Sequence, residues 1–147
     1  MSKLVYLKGF PEELERIVHG YLTSLEWMIP RWCEHVNVVW VDDGSDSSAS
    51  IAVHFEYRFA ELEIHPTFMS CTEDERRDTC IHEFIHLHVN PLYNFADRTF
   101  KVLIEDAKLQ AHSLEELRRY CEGVTQDLTH VVFERLNERE TGSKRKH

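Results

Sequence analysis

Apolar residues recur at helical spacing through "PEELERIVHGYLTSLEWM", where Leu14, Ile17, Val18, Tyr21, Leu22 and Leu25 share one side. Pro11 stands at the first helical position, acids fill the first turn, and Pro30 closes the segment. The pattern predicts an amphipathic helix of about five turns. The period then changes. "HVNVVWV" (His35 to Val41) and "SIAVHFEY" (Ser50 to Tyr57) are rich in β-branched and aromatic residues and flank the turn formers "DDGSDSSA", which predicts a hairpin. Ile51, Val53, Phe55, Tyr57 and Phe59 alternate, after which the apolar set switches phase to Leu62 and Ile64. Strand faces alternate with period two, so a bulge or tight turn is expected near Phe59 to Glu61. "ELEIHP" becomes a short strand of its own, an edge strand blunted by Glu61, Glu63 and Pro66.

Ser70 or Thr72, with Glu73 or Glu75 three residues on, forms a capping box for the next helix, which is expected to stop before Pro91. "ADRTFKVLIEDAKLQAHSLEELRRYC" and "EGVTQDLTHVVFERLNE" both keep the helical period, with Gly123 marking a break or kink between them. "NERETGSKRKH" reads as a frayed polar tail, and its Lys144, Arg145 and Lys146 as a solvated terminus. The fold class is therefore α+β: an N-terminal helix, a small twisted sheet with an edge strand, a central helix and a helical C-terminal half. One domain is expected over residues 1–137, with a tail at 138–147.

Composition narrows the function. A chain of 147 residues is the size of one domain, and its net charge of -9 repels nucleic-acid backbones and anionic membranes alike. No apolar run approaches the roughly 18 to 20 residues of a membrane span, and the first residues lack the apolar core of a signal peptide, so a cytoplasmic location is expected. Cys33, Cys71, Cys80 and Cys121 lie far apart without a C-x-x-C pair and read as buried thiols. Asp42, Asp43 and Asp46 lack the spacing and closing glutamate of a calcium loop and read as an acidic turn.

The stretch "CIHEFIHLHVNP" concentrates the chemistry. His82, Glu83 and His86 form an H-E-x-x-H pattern, which on a helix places two imidazoles one turn apart on one side. Ile81, Phe84, Ile85, Leu87 and Val89 occupy most of the remaining circumference, so the helix is a buried one. Hiding those ionisable groups without a partner costs several kcal/mol, and a divalent cation supplies the partner. His82 and His86 are the candidate ligands of a zinc ion and Glu83 the candidate general base for its water. His88 points into the apolar sector and is expected to be a hydrogen-bonded core histidine.

With that motif, the preceding strand "ELEIHP" and the helical C-terminal half, the chain resembles the zincin metallopeptidases. Val89 and Leu92 stand where the metzincin branch has glycine and histidine, so the likeness is to the gluzincins, whose third zinc ligand is a glutamate from a later helix. Glu105 and Asp106 lie at separations from His86 familiar in that branch. Glu105, however, falls on a charged face with Lys101, Lys108, His112 and Arg119, and Asp106 has the shorter reach. Glu122 shares the inward sector of its helix with Leu128, Val132, Phe133 and Leu136, beside the small Thr125 and Thr129, and is the preferred third ligand. The aspartate that gluzincins commonly carry four residues further on is Gln126 here, so the groups orienting the ligands must differ.

The resemblance implies a zinc-dependent peptidase that acts on a peptide or protein substrate, binding its backbone along the edge strand. Tyr93, His112 and Tyr120 are open candidates for the oxyanion donor. Two other readings compete: a zincin-fold binding or regulatory module with a structural zinc, and a metal-free α+β protein with a chance motif.

Overall fold

In the computed structural model, which describes residues 1–7 and 9–144, a short strand β1 (Leu4–Tyr6) precedes the first helix. Pro11, at φ -60°, leads into α1 (Glu12–Leu25), whose Val18, Leu22 and Leu25 are buried. One 3-10 turn, Glu26–Met28, extends it towards Pro30. The strands β2 (His35–Trp40), β3 (Ala49–His54) and β4 (Phe59–Ile64) follow. A single turn, α2 (Thr67–Ser70), leads to α3 (Glu73–Leu103), and α4 (Ala107–Lys144) completes the chain. The protein is α+β, with a small mixed sheet and a helical C-terminal half. Among the described residues no helix is long and apolar enough to cross a membrane.

The sheet order is β1-β2-β4-β3, with β1 and β4 parallel to β2, and β3 antiparallel to β4. This corrects two expectations. "HVNVVWV" and "SIAVHFEY" are not hairpin partners, because β4 lies between them. "ELEIHP" is not the edge strand: its Ala60, Leu62 and Ile64 are fully buried in the middle of the sheet, and β3 forms the edge. The cause is the turn at Phe55–Tyr57, closed by Arg58 in the left-handed region (φ 61°). That local reversal folds β4 back along β3, with Ile51 opposite Leu62. Glu61 and Glu63 then alternate to the other face of the sheet rather than blunting an edge. The strand β1 was not foreseen, as three residues are too few for a periodic signal.

The capping box is formed by Thr72 and Glu75: the Thr72 hydroxyl accepts from the Glu75 N–H, and the Glu75 carboxylate accepts from the Thr72 N–H (2.7 Å). The helix it opens does not stop before Pro91. A proline within a helix strips the carbonyl four residues earlier of its donor, here that of Leu87. Trp32 replaces the lost bond, its indole Nε1–H donating to the Leu87 carbonyl at 3.3 Å, and α3 continues to Leu103.

The break between the last two helices falls at residues 104–106 and not at Gly123, which lies within α4. Asp106 accepts from the Leu109 N–H at 2.7 Å, and the Gln110 amide donates to the Ile104 carbonyl at 2.9 Å, so both helix ends are closed. With the helices parted there, Leu103, Ala107 and Ala111 are exposed rather than lining a common buried face. The expected tail is helical as far as Lys144, and Arg77 joins Glu140 to the body by a two-bonded ion pair. Arg145 and Lys146 lie outside the described residues.

Candidate metal centre

Helix α3 carries the central chemistry because its composition leaves it no other way to lie. Cys80, Ile81, Phe84, Ile85 and Leu87 are buried in the core, and this side packs against the sheet and α1. The sector left over, with His82, Glu83 and His86, faces a cavity of about 410 Å³ whose other walls are Ser50 and Ile51 of β3 and Cys121 and Glu122 of α4. The helix α4 approaches closely because Thr125 and Thr129 are small and wholly buried. Their hydroxyls donate to the carbonyls of Cys121 (2.9 Å) and Thr125 (2.7 Å), so burial leaves neither unsatisfied.

Three donor atoms converge there. His82 Nε2 and His86 Nε2 are 3.1 Å apart, and the Glu122 carboxylate oxygens lie 3.6 Å from each. All three ligand atoms fall within 4.8 Å of one another, and among the described residues no other group of three histidine, cysteine or acidic side chains does so. Four-coordinate zinc with bonds near 2.0–2.1 Å sets neighbouring donors about 3.3 Å apart, so these separations suit the edges of one coordination shell. A gap of 3.6 Å is also too long for a good hydrogen bond. A set of two imidazole nitrogens and a carboxylate is of the kind that zinc takes.

Asn90 settles which nitrogen of His86 faces inward. Its Oδ1 accepts from His86 Nδ1 at 3.1 Å, which leaves a bare Nε2 lone pair on a neutral ring. Burial holds the His86 imidazole below its ordinary range, opposed by the Glu122 charge, assisted by His82, and opposed again by Asn90. Glu83 is 8% exposed. Burial lifts its carboxyl from 4.5 to about 8, the nearby Glu122 charge adds to the rise, and the Ile51 backbone N–H pulls the other way. The Cys121 thiol, raised by burial and then by Glu122, stays protonated beside the cluster.

The other candidates lie elsewhere. Glu105 and Asp106 are exposed in the break between helices, where Asp106 caps α4. His112 and Tyr120 are exposed, and Tyr120 instead lies beneath the Arg119 guanidinium; Tyr93 does line the cavity. His88 donates from Nε2 to the Met28 carbonyl at 2.7 Å, but it is exposed and not a core residue. Leu128 is likewise turned outward, at 44% exposed, while Val132, Phe133 and Leu136 pack on the core. In the acidic turn, Asp43 accepts from the Ser45 N–H at 3.0 Å, as a turn residue does.

Asn90, Asn94 and Arg118 also belong to the cavity wall and were not foreseen. A signal for the first two was present: Asn90 and Asn94 continue, at steps of four, the row begun by His82 and His86. No protein-family model matches the chain, and neither a curated protein nor a solved structure matches it.

Proposed function

We propose that the chain is a zinc-dependent peptidase of zincin type, with His82, His86 and Glu122 holding the ion and Glu83 as general base. The observation that carries this reading is the meeting of three metal-ligating side chains from α3 and α4 with a buried glutamate at the same cavity. Zinc held there would supply a Lewis acid for the scissile carbonyl and lower the pKa of the attacking water towards about 7. Glu83 would take the proton of that water and pass it to the departing amine. Its place suits the task, since Glu83 lines the cavity and the Ile51 N–H favours the charged form of its carboxylate. Asn90 keeps His86 in the tautomer that presents Nε2, and Tyr93 is the oxyanion donor that the cavity favours.

The test is peptide cleavage by the zinc-loaded parent and by Glu83→Gln, with zinc content measured on both. Removing a general base costs about 10²–10⁴ in rate. Loss of cleavage with zinc retained supports the reading. Absence of bound zinc in the parent contradicts it.

One observation favours a second reading, a binding module with a structural zinc. Leu92, Phe95, Val102 and Leu103 on the far half of α3 are between 64% and 79% exposed, an apolar surface of the kind that meets a partner. Zinc bound by both proteins with cleavage by neither would select it.

A further inference from the structure

The cavity is lined by a cation that the proposed chemistry does not use. Arg118 stands one helical turn before Glu122 on α4, about 6 Å along the axis, and lines the same cavity. Its guanidinium, exposed on the surface of α4, pairs with Glu115 one turn away, with Nε at 3.1 Å and Nη2 at 2.7 Å from the two carboxylate oxygens. That fork uses one edge of the guanidinium. Nη1 has no partner among the described residues, so a further edge of a rigid, permanently charged plane is left for a carboxylate. The Glu122 charge acts on it as well as that of Glu115, so it stands on the acidic side of the cluster.

Two further observations limit what can bind. Two outward groups of the edge strand face residues of the site: the Ile51 N–H acts on the Glu83 carboxylate, and the Val53 carbonyl lies 3.5 Å from the Asn94 amide. Strand addition by a long peptide would have to displace both. The cavity, at about 410 Å³, is of the size that takes a small molecule. The axial rise between the backbone positions of Glu122 and Arg118 is comparable to one or two extended residues of about 3.3–3.6 Å each.

We propose that Arg118 is a specificity-determining residue that binds a carboxylate one or two residues beyond the cleaved bond, so that the substrates are short acylated peptides ending in a free acid. The proposal rests on the peptidase reading of the same site.

The test is the binding of N-acetyl-dialanine, its C-terminal amide, and N-acetyl-alanyl-glutamate amide, by calorimetry, to zinc-loaded Glu83→Gln protein with and without Arg118→Gln. The free acid is expected to bind at least tenfold more tightly than its amide, and Arg118→Gln to reduce that preference below twofold. Equal binding of the glutamate amide overturns the chain-end assignment, because a side-chain carboxylate then serves Arg118 as well as a free terminus. The proposal is overturned if acid and amide bind alike, or if the preference survives Arg118→Gln. A zinc titration of each sample separates the two failures. Full zinc with no preference for acid sinks only the carboxylate subsite, whereas no bound zinc sinks the peptidase reading together with it.

Discussion

Replacing Glu122 by alanine removes one of three donors while leaving both histidines in place, and its effect can be worked through. A ligand that binds only the folded state stabilises it by RT ln(1 + [L]/Kd), or about 4 kcal/mol at 1,000 times Kd. For a chain of this size each kcal/mol moves the melting temperature by roughly 2–4 °C. Zinc at that excess should therefore raise the melting temperature of the metal-free parent by roughly 8–16 °C. The Glu122 oxygens are equidistant from the two Nε2 atoms, at 3.6 Å, so their loss opens the shell on one whole side. A weakening of about 100-fold leaves zinc at about 10 times Kd, worth about 1.4 kcal/mol and a rise of roughly 3–6 °C. Glu105→Ala, an exposed residue outside the cluster, should keep the full rise. Differential scanning calorimetry in chelator and then in excess zinc reads all three proteins. An equal rise for the parent and Glu122→Ala would refute the assignment of the third ligand, and no rise in the parent would refute the site.

Asn90→Ala should lower zinc affinity by about 10–100-fold without abolishing it, because it frees the His86 ring and its tautomer; competition with a fluorescent chelator measures this. In the metal-free protein the Glu83 carboxyl, at about 8 folded against 4.5 unfolded, binds its proton more tightly in the folded state. That contribution is complete below the unfolded value and vanishes as pH rises through the folded one, so urea midpoints should fall between those two pH values, while Glu83→Gln removes this part of the fall. Phe84→Ala empties a fully buried position at the centre of the core and should cost about 3–5 kcal/mol in urea unfolding. Trp32→Phe withdraws the donor that serves the Leu87 carbonyl and should cost about 1–3 kcal/mol, with faster amide exchange in α3 around Pro91.

What could be read from the chain in advance was what lies within one element. The periods of α1 and α3 and the Thr72 capping signal are local patterns, and they placed His82, Glu83 and His86 on one side of a buried helix. Small residues one and two turns beyond Glu122, Thr125 and Thr129, pointed to the sector of α4 that α3 meets. What failed depended on contacts distant in sequence. Nothing within "ELEIHP" says that β2 will take its other side, so a central strand was read as an edge. Pro91 stops an isolated helix, and the indole of Trp32, brought in from the segment before β2, supplies the donor that this one lacks. The break at residues 104–106 did carry a local sign, an aspartate poised to cap the next helix, but the unbroken apolar rhythm around it concealed the sign. The Glu115 and Arg118 pair is a local pattern at i,i+3, but nothing within α4 says that α3 and β3 will bring a cavity against it.

The most direct test of the central claim is the zinc K-edge X-ray absorption spectrum of the zinc-loaded protein, beside that of a His82→Ala/His86→Ala variant shown to be folded by circular dichroism. The account predicts one zinc per chain with two imidazole nitrogens and a carboxylate oxygen at about 2.0–2.2 Å, and loss of that signature in the variant. A hydrated ion without imidazole scattering, or a spectrum that is the same in both proteins, would contradict it.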